Sequence, residues 1–330
     1  MNGFRDANVL ITGGLGFIGS NLARRLVGLG ARVTLVDSLI PQYGGNLANV
    51  SDLQDRVEVN ISDVRDPHSM AYLIRDKEYL FNLAGQTSHL DSMTDPFTDL
   101  DINATSQLSI LEAARNRNPK IRIVFASTRQ IYGKPQYLPV DENHPIAPVD
   151  VNGINKLAGE WYHLLYCRVH GIPCCALRLT NTYGPAMRVK DARQTFLGVW
   201  VKHLLTGQPV KVFGEGTQLR DFNFVDDAVD AFLIAAVEPA AVGRVFNLGS
   251  QEVINLKDLA EKLVRINGSG TWEIVPFPPD RVAIDIGDYY GDFGSARVAL
   301  KWQPKIGLDE GLKRTLDYYR ARGSEYWESP

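Results

Sequence analysis

The sequence predicts an α/β fold: a doubly wound parallel sheet carrying a smaller, interleaved α/β region. Three observations predict it. Short apolar runs alternate with amphipathic stretches through the first half of the 330 residues. The first run ends in a glycine-rich turn that opens a helix. The second run ends in a carboxylate about 20 residues further on.

The strand-like runs are ANVLIT, ARVTLVD, RVEVNI, YLFNLAG, IRIVFAST and PCCALRLTNTYG. They are short, rich in β-branched and aromatic residues, and bounded by turn residues. Between them, FIGSNLARRLVGLG and DINATSQLSILEAARNR carry the apolar spacing of a helix. Strand and helix alternating in this way imply parallel strands covered on both faces and joined by right-handed crossovers. After residue 180 the rhythm loosens into YGPAMRVKDARQ, FGEGTQLRDF and PFPPDRVAIDIGDYYGDFG, although DDAVDAFLIAAVE and NLKDLAEKLVRI still read as helices. The expected division is 1–180 and 181–330, with segments of the second part returning to the first sheet. The tail RARGSEYWESP reads as a frayed end.

VLITGGLGFIGSNLARRL is the strongest local signal. Gly13, Gly16 and Gly19 permit a tight turn and let backbone approach a pyrophosphate. The helix that begins at Phe17 and Ile18 offers free N–H groups to that anion. Asp37 ends the next strand, where a carboxylate accepts ribose hydroxyls and disfavours the extra phosphate of NADP. The pattern is that of a Rossmann-type domain binding NAD. Asp63 and Val64 follow the third strand at the expected adenine edge. Ala84 ends the fourth with a side chain small enough for the cofactor to lie close.

Composition excludes other classes. Net charge is -3, with 35 basic and 38 acidic residues, so no nucleic-acid footprint is present. No apolar run approaches the roughly 20 residues of a membrane span, and the first run is too short for a secretory leader. Cys167, Cys174 and Cys175 lack metal-type spacing and are expected to stay reduced in the cytoplasm. No metal site is expected.

These residues, with ASTRQIYG, the helix around Lys156, LRLTNTYGP and GEGTQLRDFNFVDD in order, resemble the extended short-chain dehydrogenase/reductase family, in its nucleotide-sugar epimerase/dehydratase branch. The resemblance spans nearly the whole chain. It implies tightly held NAD, transient oxidation of a sugar hydroxyl, a nucleotide-diphosphate-sugar substrate and a homodimer formed through two helices per subunit. Residues 1–180 would then be the NAD-binding Rossmann domain, and 181–330 mainly the nucleotide-sugar region. The resemblance also implies that Arg220 binds the diphosphate, with Arg281 as the second such arginine, and that Asn181 meets the substrate phosphates. For Arg220 the structural alternative is an ion pair with Asp221 or Asp226. Arg193 and Lys190 read as solvated surface.

In the family a Ser/Thr orients the sugar hydroxyl, a tyrosine takes its proton, and a lysine four residues on holds the nicotinamide ribose. Here Thr128 and Lys156 match, but the tyrosine position is Asn152. An amide neither ionises nor serves as a general base near neutral pH. Asn152 is therefore expected to position a hydroxyl, while the proton passes to Tyr132, Tyr183, His89, Lys156 or water. The alternative is a protein that binds a nucleotide sugar without turning it over. Arg129 and Gln130 stand where related dehydratases carry an Asp-Glu pair, which disfavours dehydration and decarboxylation and points to a C4 epimerase. A net dehydrogenase is the remaining alternative. Arg129 has two readings, contact with a sugar carboxylate or, more ordinarily, a surface salt bridge.

Overall fold

The computed structural model of the chain describes residues 2–40, 42–53, 55–192 and 195–327. The first half runs β1 (Asn8–Thr12), α1 (Phe17–Gly28), β2 (Arg32–Asp37), β3 (Val57–Ile61), α2 (Pro67–Leu73), β4 (Tyr79–Asn82), α3 (His89–Thr94), α4 (Pro96–Leu100), α5 (Ser106–Arg117), β5 (Arg122–Thr128), α6 (Val151–His170) and β6 (Cys174–Leu179). The second half continues with β7 (Asn181–Tyr183), α7 (Phe196–Leu205), β8 (Val210–Phe213), β9 (Leu219–Phe224), α8 (Val225–Val237), β10 (Val245–Asn247), β11 (Val253–Asn255), α9 (Leu256–Asn267) and β12 (Trp272–Val275). It closes with α10 (Pro279–Val282), α11 (Gly294–Ala299), α12 (Leu308–Arg322) and α13 (Ser324–Trp327).

The large sheet has the order β10-β6-β5-β4-β1-β2-β3, and every pairing in it is parallel. Strand order reverses between β1 and β4, which opens a crevice at their carboxyl ends. The strand period of two sorts β1 between two cores. Val9 and Ile11 join Leu22 of α1 and Phe232 of α8 on one face, while Leu10 joins Ile110 of α5 and Tyr166 of α6 on the other. Each such fully buried aliphatic or aromatic side chain contributes about 1.5–3 kcal/mol.

The second region is a three-stranded sheet, β11-β9-β7, and a two-stranded one, β12-β8. The chain returns from it to the large sheet, where β10 pairs with β6. DINAT, expected as plain helix, winds as a π-turn over Asp101–Thr105 before α5 begins. Such turns re-aim side chains and recur at functional sites.

The tail corrects an expectation. α12 runs through Arg322 and a further turn spans Ser324–Trp327. Tyr326 is buried, and its hydroxyl donates to Asn49 Oδ1 at 2.7 Å. Arg322 Nη2 donates to Ala48 O at 2.9 Å. An aromatic residue docked beside Asn49 anchors what composition alone reads as a loose end. No helix among the described residues is long and apolar enough to cross a membrane.

Candidate active site

The crevice is a cavity of about 730 Å³. It is lined by the β1–α1 turn, the ends of β2, β4 and β5, the start of α6, and loops of the second region.

At the β1–α1 turn, Gly13 has φ +67°, and an added Cβ would lie 3.0 Å from the Ala84 backbone. A Cβ on Gly19 would lie 2.2 Å from Gly13 O. Helix α1 is preceded by Gly16 with no side-chain cap, so its first amides remain available to an anion. Asp37 accepts from Leu15 N at 3.1 Å and Leu39 N at 3.0 Å. Burial pushes its carboxyl up, against those backbone donors. Asp63 and Val64 line the same end, although both Asp63 oxygens are engaged by Arg65.

At the end of β5 the strand alternation separates two neighbours. Ser127 borders the cavity, but its hydroxyl is committed to Glu160, which is buried in a pair with Arg178. Thr128 lines the cavity, its Oγ1 accepting from Gln130 N at 3.3 Å. Lys156 also lines it and is 5% exposed. Its Nζ donates to Ala126 O at 3.0 Å and lies 4.9 Å from the Phe125 ring centroid. Burial pulls Lys156 down to about 8, against the attraction of Asp99.

Asn152 is drawn into a network that the sequence did not disclose. Its Nδ2 donates to Gln86 O at 2.8 Å and Asp99 Oδ2 at 2.9 Å. Asn103 and Asn155 donate to the same carboxylate, at 3.1 and 2.8 Å. Asp99 is 1% exposed, and a buried carboxylate requires such donors. Three asparagine amides therefore satisfy one charge, and residue 152 supplies one of them. Its amide nitrogen is committed, which leaves Oδ1 as the atom able to meet a ligand hydroxyl.

The proton-carrying candidates separate cleanly. Tyr132 lies outside the cavity lining, donates to Asn247 Oδ1 at 2.6 Å, and is pushed by burial up to about 12. Tyr183 is likewise buried outside that lining. His89 lines the cavity, with Nδ1 bonded to Asp150 Oδ2 and Nε2 bonded to the Gln130 amide. Asp150 also caps α6 by accepting from Gly153 N at 2.7 Å. A carboxylate on Nδ1 holds the proton there and leaves Nε2 as the basic atom. The Gln130 amide can donate to neutral Nε2 and, rotated, accept from its protonated form.

In the second region Asn181, Arg220 and Arg281 all line the cavity. Arg220 pairs with neither proposed aspartate. Its Nη1 is held by the carbonyls of Leu219, at 2.7 Å, and Gly287, at 2.5 Å, and Asp226 pairs with Arg314. Arg281 lies 5.6 Å from the Phe213 ring centroid. Asn181 donates to Asp221 O at 3.0 Å and accepts from Arg129 Nη2 at 3.2 Å. Among the described residues the surface salt bridge read for Arg129 does not form; its guanidinium lies 4.9 Å from the Tyr289 ring centroid instead. Lys190 is exposed, and Arg193 lies outside the described residues.

Comparison with known proteins places this geometry. A family model described as the NAD dependent epimerase/dehydratase family matches residues 9–249. The chain belongs to that family. A UDP-glucose 4-epimerase of Mycolicibacterium smegmatis is 32% identical over 314 residues, 95% of this chain and 98% of its own. A dTDP-glucose 4,6-dehydratase of Streptomyces niveus is 29% identical over 329 residues, 97% of this chain and 94% of its own. The crystal structure of a UDP-glucose 4-epimerase from Thermotoga maritima with UDP-glucose is 29% identical, with a TM-score of 0.87, and covers 96% of this chain and 99% of that one. As a member of the epimerase/dehydratase family, the chain is an NAD-dependent enzyme of nucleotide-sugar chemistry. The cleft fits the family's cofactor: the Gly13 and Gly19 approaches leave no room for side chains, and the uncapped start of α1 faces the cavity. Near Lys156, a Cβ on Gly85 would lie 3.0 Å from Nζ and 2.9 Å from Asn103 Oδ1, and that oxygen is buried without a partner. Gly85 thus keeps open a polar spot that a cofactor hydroxyl can fill.

Sequence reasoning missed Gln86, Asp99, Asn103, Asn155 and Asp150. The i, i+4 pair Asp99–Asn103 was the available signal, since that spacing sets two side chains on one helix face.

Proposed function

We propose that the chain is a nucleotide-sugar C4 epimerase working through a transient keto sugar, with His89 and Asp150 carrying the proton that a tyrosine carries in similar enzymes. The observation behind the reading is a carboxylate-oriented imidazole in the same cleft as Thr128 and Lys156.

Gly13, Gly16, Phe17, Ile18 and Gly19 would hold the pyrophosphate of the cofactor. Asp37 would take the adenosine ribose, Asp63 and Val64 would flank the adenine, and Ala84 would let the cofactor lie close. NAD, when bound, takes hydride from a sugar carbon and gives it back. Thr128 orients the C4 hydroxyl, and Asn152 Oδ1 helps to position it. As the hydroxyl docks it displaces the Gln130 amide, and Nε2 of His89 accepts its proton. Asp150 stabilises the resulting imidazolium. Lys156 holds the nicotinamide ribose. The keto sugar turns its other face to the cofactor, and His89 returns the proton to the same oxygen. Arg220, Arg281 and Asn181 would hold the diphosphate through this rotation, the arginines by forked hydrogen bonds.

One acid/base group suffices for this cycle, because the proton leaves and rejoins one oxygen. Dehydration across two carbons requires a further acid and base, and neither Arg129 nor Gln130 exchanges protons near neutral pH. The test is incubation of the purified protein with UDP-glucose, UDP-glucuronate and their dTDP counterparts. The expected result is a product of unchanged mass that NMR identifies as the C4 epimer. Loss of water or carbon dioxide, release of NADH, or no product from any of the four contradicts the proposal.

We further propose a homodimer in the cytoplasm, where the three free cysteines stay reduced. Ile154, Trp161, Leu165 and Val169 of α6 are exposed at helical spacing, and Trp161 is 56% exposed. They form an apolar stripe beside exposed Leu108 of α5 and Phe97 of α4. A second copy of the same face would cover it around a two-fold axis. Sedimentation should find a wild-type dimer and a Trp161→Glu/Leu165→Glu monomer; a monomeric wild type contradicts the assignment.

A further inference from the structure

Arg129 is the first residue of the turn that follows β5, one position beyond Thr128. Its guanidinium lines the cavity, lies against the Tyr289 ring, and spends Nη2 on Asn181 Oδ1. Nη1 is buried with no hydrogen-bond partner. Among the described residues no carboxylate pairs with this guanidinium. Asp221 is close enough to act electrostatically, but one of its oxygens takes the Thr180 hydroxyl and the other Gly291 N at 3.2 Å. Arg220 is a second cation within electrostatic reach, held only by carbonyls.

Asp150 and Asp221 act electrostatically on Arg129, and Asp221, Asp285 and Asp288 on Arg220, yet among the described residues none of them hydrogen-bonds either guanidinium, and Arg129 Nη1 stays a buried donor without an acceptor. Burial pulls both below their ordinary values, and for Arg220 the charge of Arg129 adds to the effect. Arginine nevertheless keeps its proton, so Nη1 remains a charged donor for which a ligand in the cleft can supply the acceptor. In the proposed reading Arg220 and Arg281 take the diphosphate. Arg129 instead adjoins Thr128, beside the carbon being oxidised. In a hexose that reacts at C4, the flanking substituents are the C3 hydroxyl and C6, carried on C5, and of the two C6 is the one that exists as either a hydroxymethyl group or a carboxylate. A hydroxymethyl group there offers Nη1 only a neutral acceptor. A carboxylate would accept a charge-assisted hydrogen bond from it, roughly twice as strong as a neutral one.

We infer that Arg129 selects the substrate by receiving a carboxylate at C6, so that the enzyme acts on a nucleotide-linked uronic acid in preference to the neutral hexose. This rests on the proposal that a nucleotide sugar docks with C4 at Thr128. The probes are UDP-glucuronate and UDP-glucose, which differ only at C6. Binding to the NAD-loaded protein is measured by calorimetry, and turnover separately. Wild type should bind the uronate about 100-fold more tightly than the hexose. Arg129→Met should weaken uronate binding about 100-fold more than hexose binding, as expected when one partner of a buried charge pair is truncated. Arg129→Lys keeps the charge without the fork and should fall between; it also carries the test if the Met variant does not fold. Equal weakening of both sugars would make Arg129 a diphosphate or packing residue and overturn the inference. A wild type that prefers the hexose, or binds neither, would overturn it too. Selective uronate binding without epimer formation would uphold this inference while refuting the C4 epimerase proposal, so the two failures are distinguishable.

Discussion

Lys156→Met is expected to lower kcat on the order of 10³-fold, within the range for losing a group that acts in proton transfer or charge stabilisation. Lys156 places a buried ammonium between β5 and the cleft, with one carbonyl partner. The variant should also separate function from folding. A lysine drawn down to about 8 by burial binds fewer protons folded than unfolded at pH values between 8 and its ordinary 10.5. Stability therefore rises with pH across that window, and the burial penalty is fully present below pH 8. At neutral pH without cofactor, Lys156→Met should melt no lower than wild type. Its advantage, up to about 3 kcal/mol from that difference in proton affinity, should shrink as pH approaches 10. Thermal unfolding of both proteins across this range measures it. Full turnover in Lys156→Met would remove its assigned role, and a variant that unfolds at neutral pH would contradict the burial argument.

His89→Ala is expected to lower kcat by about 10²–10⁴-fold while NAD and sugar still bind. Asp150→Asn tests the partner more finely. Asparagine caps helices as well as aspartate does, so α6 should persist, while the imidazolium loses its counter-charge. The expected result is a fall in kcat with little change in KM. Asn152→Tyr is the converse experiment. It takes one amide from Asp99 and places a larger side chain where 2% of the native one is exposed. Activity should fall. A strong rise would mean that the natural centre is merely impaired and that the histidine relay is wrong. Near-wild-type kcat in His89→Ala would likewise mean that the histidine relay is wrong.

The parts of this fold that were legible are those written locally. The glycines of the β1–α1 turn and Asp37 lie within one β-α-β unit, and the turn chemistry fixes their relation. Thr128 was read from its match to the family's Ser/Thr position; that its neighbour Ser127 is tied to Glu160, 33 residues away, was not legible. Contacts between distant segments were not legible. His89 meets Asp150 across 61 positions, and Asn152 meets Asp99 across 53. Nothing in either segment announces its partner. Arg129 looked like a surface charge because Tyr289, which covers it, belongs to a loop of the second region. The C-terminal tail misled for the same reason: Tyr326 is ordered by Asn49, a residue from the other end of the chain.

The most direct test of the central claim, that hydride leaves and returns to one sugar carbon within this cleft, is the fate of deuterium. The NAD-loaded protein is given UDP-glucose and UDP-glucuronate labelled with deuterium at C4, and NMR follows the label. The account predicts a C4 epimer that keeps its deuterium at C4, because His89 exchanges only the hydroxyl proton. Deuterium lost to water, or a substrate recovered without any epimer, would contradict it.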